Sequence, residues 1–159
     1  MKNTSIAGIM KLFIIGTGIL GLLMYFAGLP LIGKALANAV PELAFSYYPW
    51  LFFLWVTGIP CYAVLVFAWR IACNIGKDRV FTKQNAQSFE WIFRLAAGDT
   101  IFFLIVNVIY LFLNMSHPSV IIGALLVSFV GAAFAFCTKT LSEFVDAAAD
   151  LQEQSDLTI

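Results

Sequence analysis

The chain has 159 residues, enough for one domain, and 62% of them are apolar while only 11% are charged. Soluble domains carry about one quarter charged residues, so water is excluded as the main solvent. Nine Lys and Arg balance nine Asp and Glu; a net charge of zero indicates neither a nucleic-acid nor an acidic partner, and no direct nucleic-acid binding is expected.

The charges are bunched. No Asp, Glu, Lys or Arg lies between Lys11 and Lys34, between Glu42 and Arg70, or between Asp99 and Lys139. Each gap exceeds the roughly 20 apolar residues with which a helix crosses a hydrocarbon core of about 30 Å. The 16 Phe do not signal a β-barrel, because barrel strands alternate polar with apolar. Runs such as Phe102, Phe103, Leu104, Ile105 and Val106 are apolar on every face, which in lipid means helix. The predicted fold is all-α: a four-helix transmembrane bundle with a cytoplasmic C-terminal amphipathic helix.

In chain order, the first span is predicted at about 12–32. Gly21 and Gly28 lie seven apart and, with Thr17, offer a close-packing face. A signal peptide is the competing reading, since Lys2 and Lys11 precede the span and Ala35, Leu36, Ala37 have the A-x-A form. The apolar run of about 22 residues exceeds a signal core of about 7 to 15, which favours a retained span. An outer loop from Lys34 to Ser46 leads to the second span, about 49–71, where Pro60 predicts a kink near Val56 and Thr57. The stretch 72–91 is the main polar loop. Gly76 is expected to cap the second helix in a left-handed conformation, and Thr82 to cap the start of the third.

The third span is predicted at about 92–113, on a helix starting near Lys83. Asn114 to Pro118 form a tight turn, and the fourth span covers about 119–136, where Ala124, Ser128 and Ala132 make a small-residue stripe. In the tail, 139–159, Leu141, Phe144, Val145, Ala148 and Leu151 mark an apolar helical face, with Glu143, Asp146, Asp150 and Glu153 opposite. Lys2, Lys11, Arg70, Lys77, Arg79, Lys83, Arg94 and Lys139 fall on the side of the termini, against Lys34 alone on the other. Positive connections stay in the cytoplasm, so a multi-pass membrane protein with both termini cytoplasmic is expected.

No phosphate-binding loop, metal cluster or nucleophile elbow is present, and no catalytic residue, cofactor or metal site is predicted. Cys61, Cys73 and Cys137 read as small packing residues, with lipidation of Cys73 or Cys137 as the alternative. His117 reads as a solvated turn residue. Asp99 is the intramembrane acid and so a functional candidate. It lies about 21 Å from the outer boundary, where Arg94, Arg70 or Lys139 could pair with it. Thr100, Asn107 and Asn114 recur every seven residues on one helix face. Asp99, Asn107 and Arg94 form the candidate intramembrane polar site.

Gly76 and Lys77, a short spacer, and then Phe81-Thr82-Lys83-Gln84-Asn85 resemble the G-x-x-F-T-x-x-N segment of a bacterial membrane family catalogued as domain of unknown function 2975. The ending Gln152 to Ile159 is similar to that family's L-K-E-E-N-D-L-T-I terminus, with Ser155 where Asn is usual. The resemblance implies a small membrane protein without an assigned activity, often encoded beside a helix-turn-helix regulator. It marks Phe81, Thr82, Asn85, Asp156, Leu157, Thr158 and Ile159 as a shared cytoplasmic feature, with Phe81 packed on the bundle and Thr82 and Asn85 closing the helix start. With Glu143, Asp146, Asp150 and Glu153 these are the candidate interaction residues. The expected function is a non-enzymatic regulatory or interaction protein that holds a soluble cytoplasmic partner at the lipid bilayer. The rival is a small homo-oligomeric transporter or channel using Asp99 and Asn107, and a membrane enzyme ranks third.

Overall fold

Backbone amides in hydrocarbon have no water to bond, and the chain responds with helix almost throughout. The computed structural model describes residues 2–157, leaving aside the side chains of Lys2, Asn3, Leu43, Asp156 and Leu157. Helix α1 (Lys2–Leu23), a π-helical turn (Met24–Gly28) and α2 (Leu29–Ala39) make one rod. The others are α3 (Tyr47–Ile75), α4 (Lys83–Phe112) and α5 (Pro118–Leu157), with a 3-10 segment at Pro41–Ser46. All four rods are long and apolar enough to cross a membrane, and no strand occurs among the described residues. This is a four-helix membrane protein.

The rods pack in chain order. Among the described residues, Cα atoms approach within 8 Å only between sequential rods; α1 and α2 do not meet α4 or α5, and α3 does not meet α5. The bundle is therefore open, a row rather than a ring. A methyl group at Gly76 would sit 3.2 Å from Ala7 Cβ, and Lys83 bonds Asp150 on α5. Both described chain ends thus lie beside the 76–82 connection, at what we term the loop end; 40–46 and 113–117 form the turn end.

The π-helical turn has a local cause. Pro30 has no N–H to donate back into the preceding turn, which leaves carbonyls there without their usual partners. Trp55 of α3 uses one of them, its Nε1 donating to Tyr25 O at 3.0 Å. The rod then stays helical to Ala39, well into the stretch expected as loop. Gly28, expected to face a neighbouring helix, instead lies against Met24 of its own rod; Gly18, Gly21 and Gly33 meet α3, through Leu65, Tyr62 and Tyr47.

α4 and α5 meet along one continuous seam. The α5 residues turned inward are Ala124, Ser128, Gly131, Ala135, Thr138, Ser142, Val145 and Ala149, spaced alternately by four and three as in a heptad repeat. Ala132, expected in the stripe, is exposed. Steps of four drift by about 40° each around a helix, whereas alternating four and three nearly cancels the drift. Ser142 Oγ donates to Ala86 O at 2.8 Å, and a methyl at Gly131 would collide with the Thr100 side chain.

The separate amphipathic tail helix is not found. Nothing between Phe136 and Ser142 interrupts a helix, so α5 runs unbroken from Pro118 to Leu157. Its packed side there is the small-residue seam; Leu141, Phe144 and Leu151 are exposed instead.

Two belts mark depth. At the loop end Lys11 lies over Trp69 (5.5 Å), Arg70 over Phe67 (5.3 Å), Arg94 over Trp91 (5.7 Å) and Lys139 over Phe93 (5.8 Å). At the turn end Trp50 packs on Tyr110 at 5.2 Å and Tyr47 on Tyr48 at 5.0 Å. From Trp50 to Arg70, and from Ser119 to Lys139, is about 20 residues or roughly 30 Å of helix, the thickness of a hydrocarbon core. About 18 residues of α5, some 27 Å, continue past Lys139 beyond the belt.

Candidate functional site

The 76–82 connection is organised by one amide. Asn85 is 1% exposed; its Nδ2 donates to Arg79 O (2.9 Å) and Val80 O (2.8 Å), and its Oδ1 accepts from Asn74 Nδ2 (2.7 Å). Thr82 caps α4, its hydroxyl accepting the Asn85 N–H at 3.3 Å. Asn85 is thus an internal strut, and Thr82 closes the start of α4. The left-handed residue of this connection is Asp78 (φ 59°), not Gly76 (φ −65°). Gly76 serves instead for the close approach of Ala7. Phe81, expected to pack on the bundle, is half exposed, because Thr82 is extended and turns α4 inward only from Lys83 onward.

The acidic side of α5 is also already engaged. Lys83 Nζ lies 2.9 Å from Asp146 and 2.6 Å from Asp150. Lys139 Nζ lies 2.9 Å from Glu90 and 3.6 Å from Glu143, while Arg94 Nε reaches Glu90 at 3.0 Å. The hydrogen bond from Lys139, then that from Arg94, holds the Glu90 carboxyl below its ordinary value of 4.5. Asp150, then Asp146, hold Lys83 above 10.5, and Glu90 does the same for Lys139. Glu153 is exposed. Thr158 and Ile159 lie outside the described residues, as do the side chains of Asp156 and Leu157.

Past the belt α5 also leaves an apolar row open. Phe144 is 69% and Leu151 68% exposed, with Leu141 beside them; spaced by three and seven, they share a face turned away from α4.

Inside the membrane, the candidate polar residues are not brought together. Asp99 reaches no cation: Arg94 is committed to Glu90 and Trp91, Lys139 to Glu90 and Phe93, and Arg70 to Phe67. The expected ion pair is absent because those cations sit in the belt, one to three turns nearer the loop end. Asp99 Oδ2 is instead approached by the Cys61 thiol of α3 at 4.0 Å, and Oδ1 is buried without a partner. Tyr25, on the π-helical turn, faces Thr57 and Cys61 from the other side. Nothing in the sequence marked Tyr25 or Thr57; Pro30, five residues on from Tyr25, was the available signal. Asn107 belongs elsewhere, 1% exposed in the α4–α5 seam, with Nδ2 donating to Phe103 O at 2.9 Å and Oδ1 unpartnered. Asp99 faces α3 and Asn107 faces α5, so they line no common path.

Among the described residues no group of three His, Cys, Asp or Glu could hold a metal. The three cysteines are free thiols. His117 Nδ1 accepts from Ser119 N at 3.3 Å and lies 2.8 Å from its hydroxyl, which closes the turn.

A curated relative is the "Uncharacterized membrane protein YoaS" of Bacillus subtilis (strain 168), 27% identical over 150 residues, covering 93% of this chain and 92% of that protein. No solved structure matches. The model of one family matches residues 31–159, from the end of the first rod through all of α3, α4 and α5. By that match the chain belongs to the family described as "Protein of unknown function (DUF2975)".

Proposed function

We propose that the chain is a non-enzymatic interaction protein of the bacterial inner membrane, whose loop end faces the cytoplasm and docks a soluble protein on the protruding part of α5. A helix-turn-helix regulator is the expected class of partner. The observation that carries this reading is the apolar row Leu141, Phe144 and Leu151, exposed on the part of α5 that continues past the loop-end belt. In water such a row, rimmed by polar residues, marks a binding surface.

The orientation rests on charge. Of the nine Lys and Arg, all but Lys34 fall at the loop end, and positive connections are retained in the cytoplasm. The acidic residues lie on the other side of α5, Asp146 and Asp150 against Lys83 and Glu143 against Lys139, so the row itself is uncharged and suits an apolar patch on the partner.

The test is affinity capture of full-length protein from native membranes, comparing the parent with a Phe144→Glu, Leu151→Glu variant. The variant is expected to lose the co-purifying regulator at least tenfold while its helix content and thermal midpoint are unchanged, because neither residue touches the seam. Recovery of the same partner at the same yield would sink this reading.

A further inference from the structure

At the turn end, α2, the start of α3 and the start of α5 surround a cavity of about 460 Å³ that no feature discussed so far uses. Its walls are apolar, with Leu36, Leu54, Trp50 and Val120 among them, and no Lys, Arg, Asp or Glu lines it. Two hydroxyls do. Ser46 is 3% exposed, and neither its Oγ nor that of Ser116 has a hydrogen-bond partner in the chain. Buried hydroxyls are costly without partners, and native proteins seldom leave them so. Two such groups in one cavity therefore point to a ligand. A cleft of this volume, apolar with a few converging polar groups, has the character of a small-molecule site.

Location and charge narrow the ligand. The cavity lies level with the Trp50 and Tyr110 belt, the depth at which amphiphiles place their polar end. Its side walls, α2 and α5, do not approach each other, so it is open toward the bilayer. With no Lys or Arg in its lining, only the His117 ring, it offers no permanent positive charge to a phosphate. Ser46 and Ser116 can each donate to and accept from a hydroxyl or ester.

We infer that this cavity binds a neutral single-chain lipid from the adjoining leaflet, a monoacylglycerol or long-chain alcohol, its polar end bonded to Ser46 and Ser116 and its chain against Leu36, Leu54 and Val120. The site is independent of docking at the loop end.

The experiment uses full-length protein in phosphatidylcholine nanodiscs and a photoreactive monoacylglycerol, with the adducts mapped to peptides. Labelling is expected within 29–54 and 115–120, displaced at least tenfold better by monooleoylglycerol than by lysophosphatidic acid. In the Ser46→Ala, Ser116→Ala variant labelling should fall at least fivefold, while the thermal midpoint stays level or rises because two unpartnered hydroxyls are gone. Labelling spread evenly over lipid-facing helix, equal displacement by the charged lipid, unchanged labelling in the variant, or cross-links between two copies of the chain at these residues would each overturn the assignment. If the double variant does not fold, Leu36→Trp fills the apolar end of the cavity; labelling that survives it overturns the assignment equally.

Discussion

Between α4 and α5 a small residue meets the partner at every step of the repeat from Ala124 to Ala149, whereas the first rod touches α3 through a few large side chains that reach across. Tyr62 donates to Gly18 O at 2.7 Å, Trp55 to Tyr25 O at 3.0 Å and Tyr47 to Pro30 O at 3.5 Å. The tyrosines lie over glycines, Tyr62 over Gly21 and Tyr25 over Gly58. In lipid no hydrophobic gain separates one helix contact from another, so close backbone approach and hydrogen bonds decide. The first contact is thus made of separable points, and the second is a continuous zip.

The comparison can be broken most severely at Gly131. Gly131→Leu drives a side chain into Thr100 and is expected to cost about 1–3 kcal/mol of unfolding free energy in detergent. Gly123→Leu on the same helix, with open space at its Cβ position, should stay within about 0.5 kcal/mol. Equal losses would show that the seam is not the tight contact.

Trp55→Phe removes one of the points that hold the first rod. A loss of about 0.6–1 kcal/mol is expected, and spin-label distances between α1 and α3 should broaden while those between α4 and α5 do not. Broadening in both pairs would mean that the two contacts are one cooperative unit.

The smallest effect is that of pH on the ion pairs flanking the seam. Glu90, held below 4.5, contributes fully above that pH and loses its contribution as pH falls through its folded value; Lys83 and Lys139, held above 10.5, contribute below that pH and lose theirs as it rises. The thermal midpoint should be flat from about pH 5 to 10 and fall on both flanks by less than Trp55→Phe costs, since exposed pairs contribute little. A steep change near neutrality would contradict this assignment.

Much of this architecture was legible in the sequence for simple reasons. Three runs without charge, the last divided by the turn at Asn114 to Pro118, Thr82 before a helical pattern, and Asp99 as the acid within a span each follow from local chemistry. The spacing of Thr100 and Asn107 by seven already carried the period of the seam. What was hidden depends on partners. A stripe read at steps of four included Ala132 and missed Gly131, because the inclination of one helix to its neighbour is not a property of either alone. Asp99 was given a cation that the belt holds elsewhere, and the contact of Asp146 and Asp150 with Lys83 shows only once α4 and α5 lie side by side. The cavity at Ser46 and Ser116 joins residues about 70 apart in the chain, and no pattern foretold it.

Packing strictly between sequential rods also sets a timetable. Each helix after the first, on leaving the ribosome, finds the preceding rod already in the membrane, and among the described residues no helix waits for a distant one. Contacts so local favour quick, orderly assembly. The loosest contact forms first and stays adjustable while the longest helix, made last, closes the zip against α4.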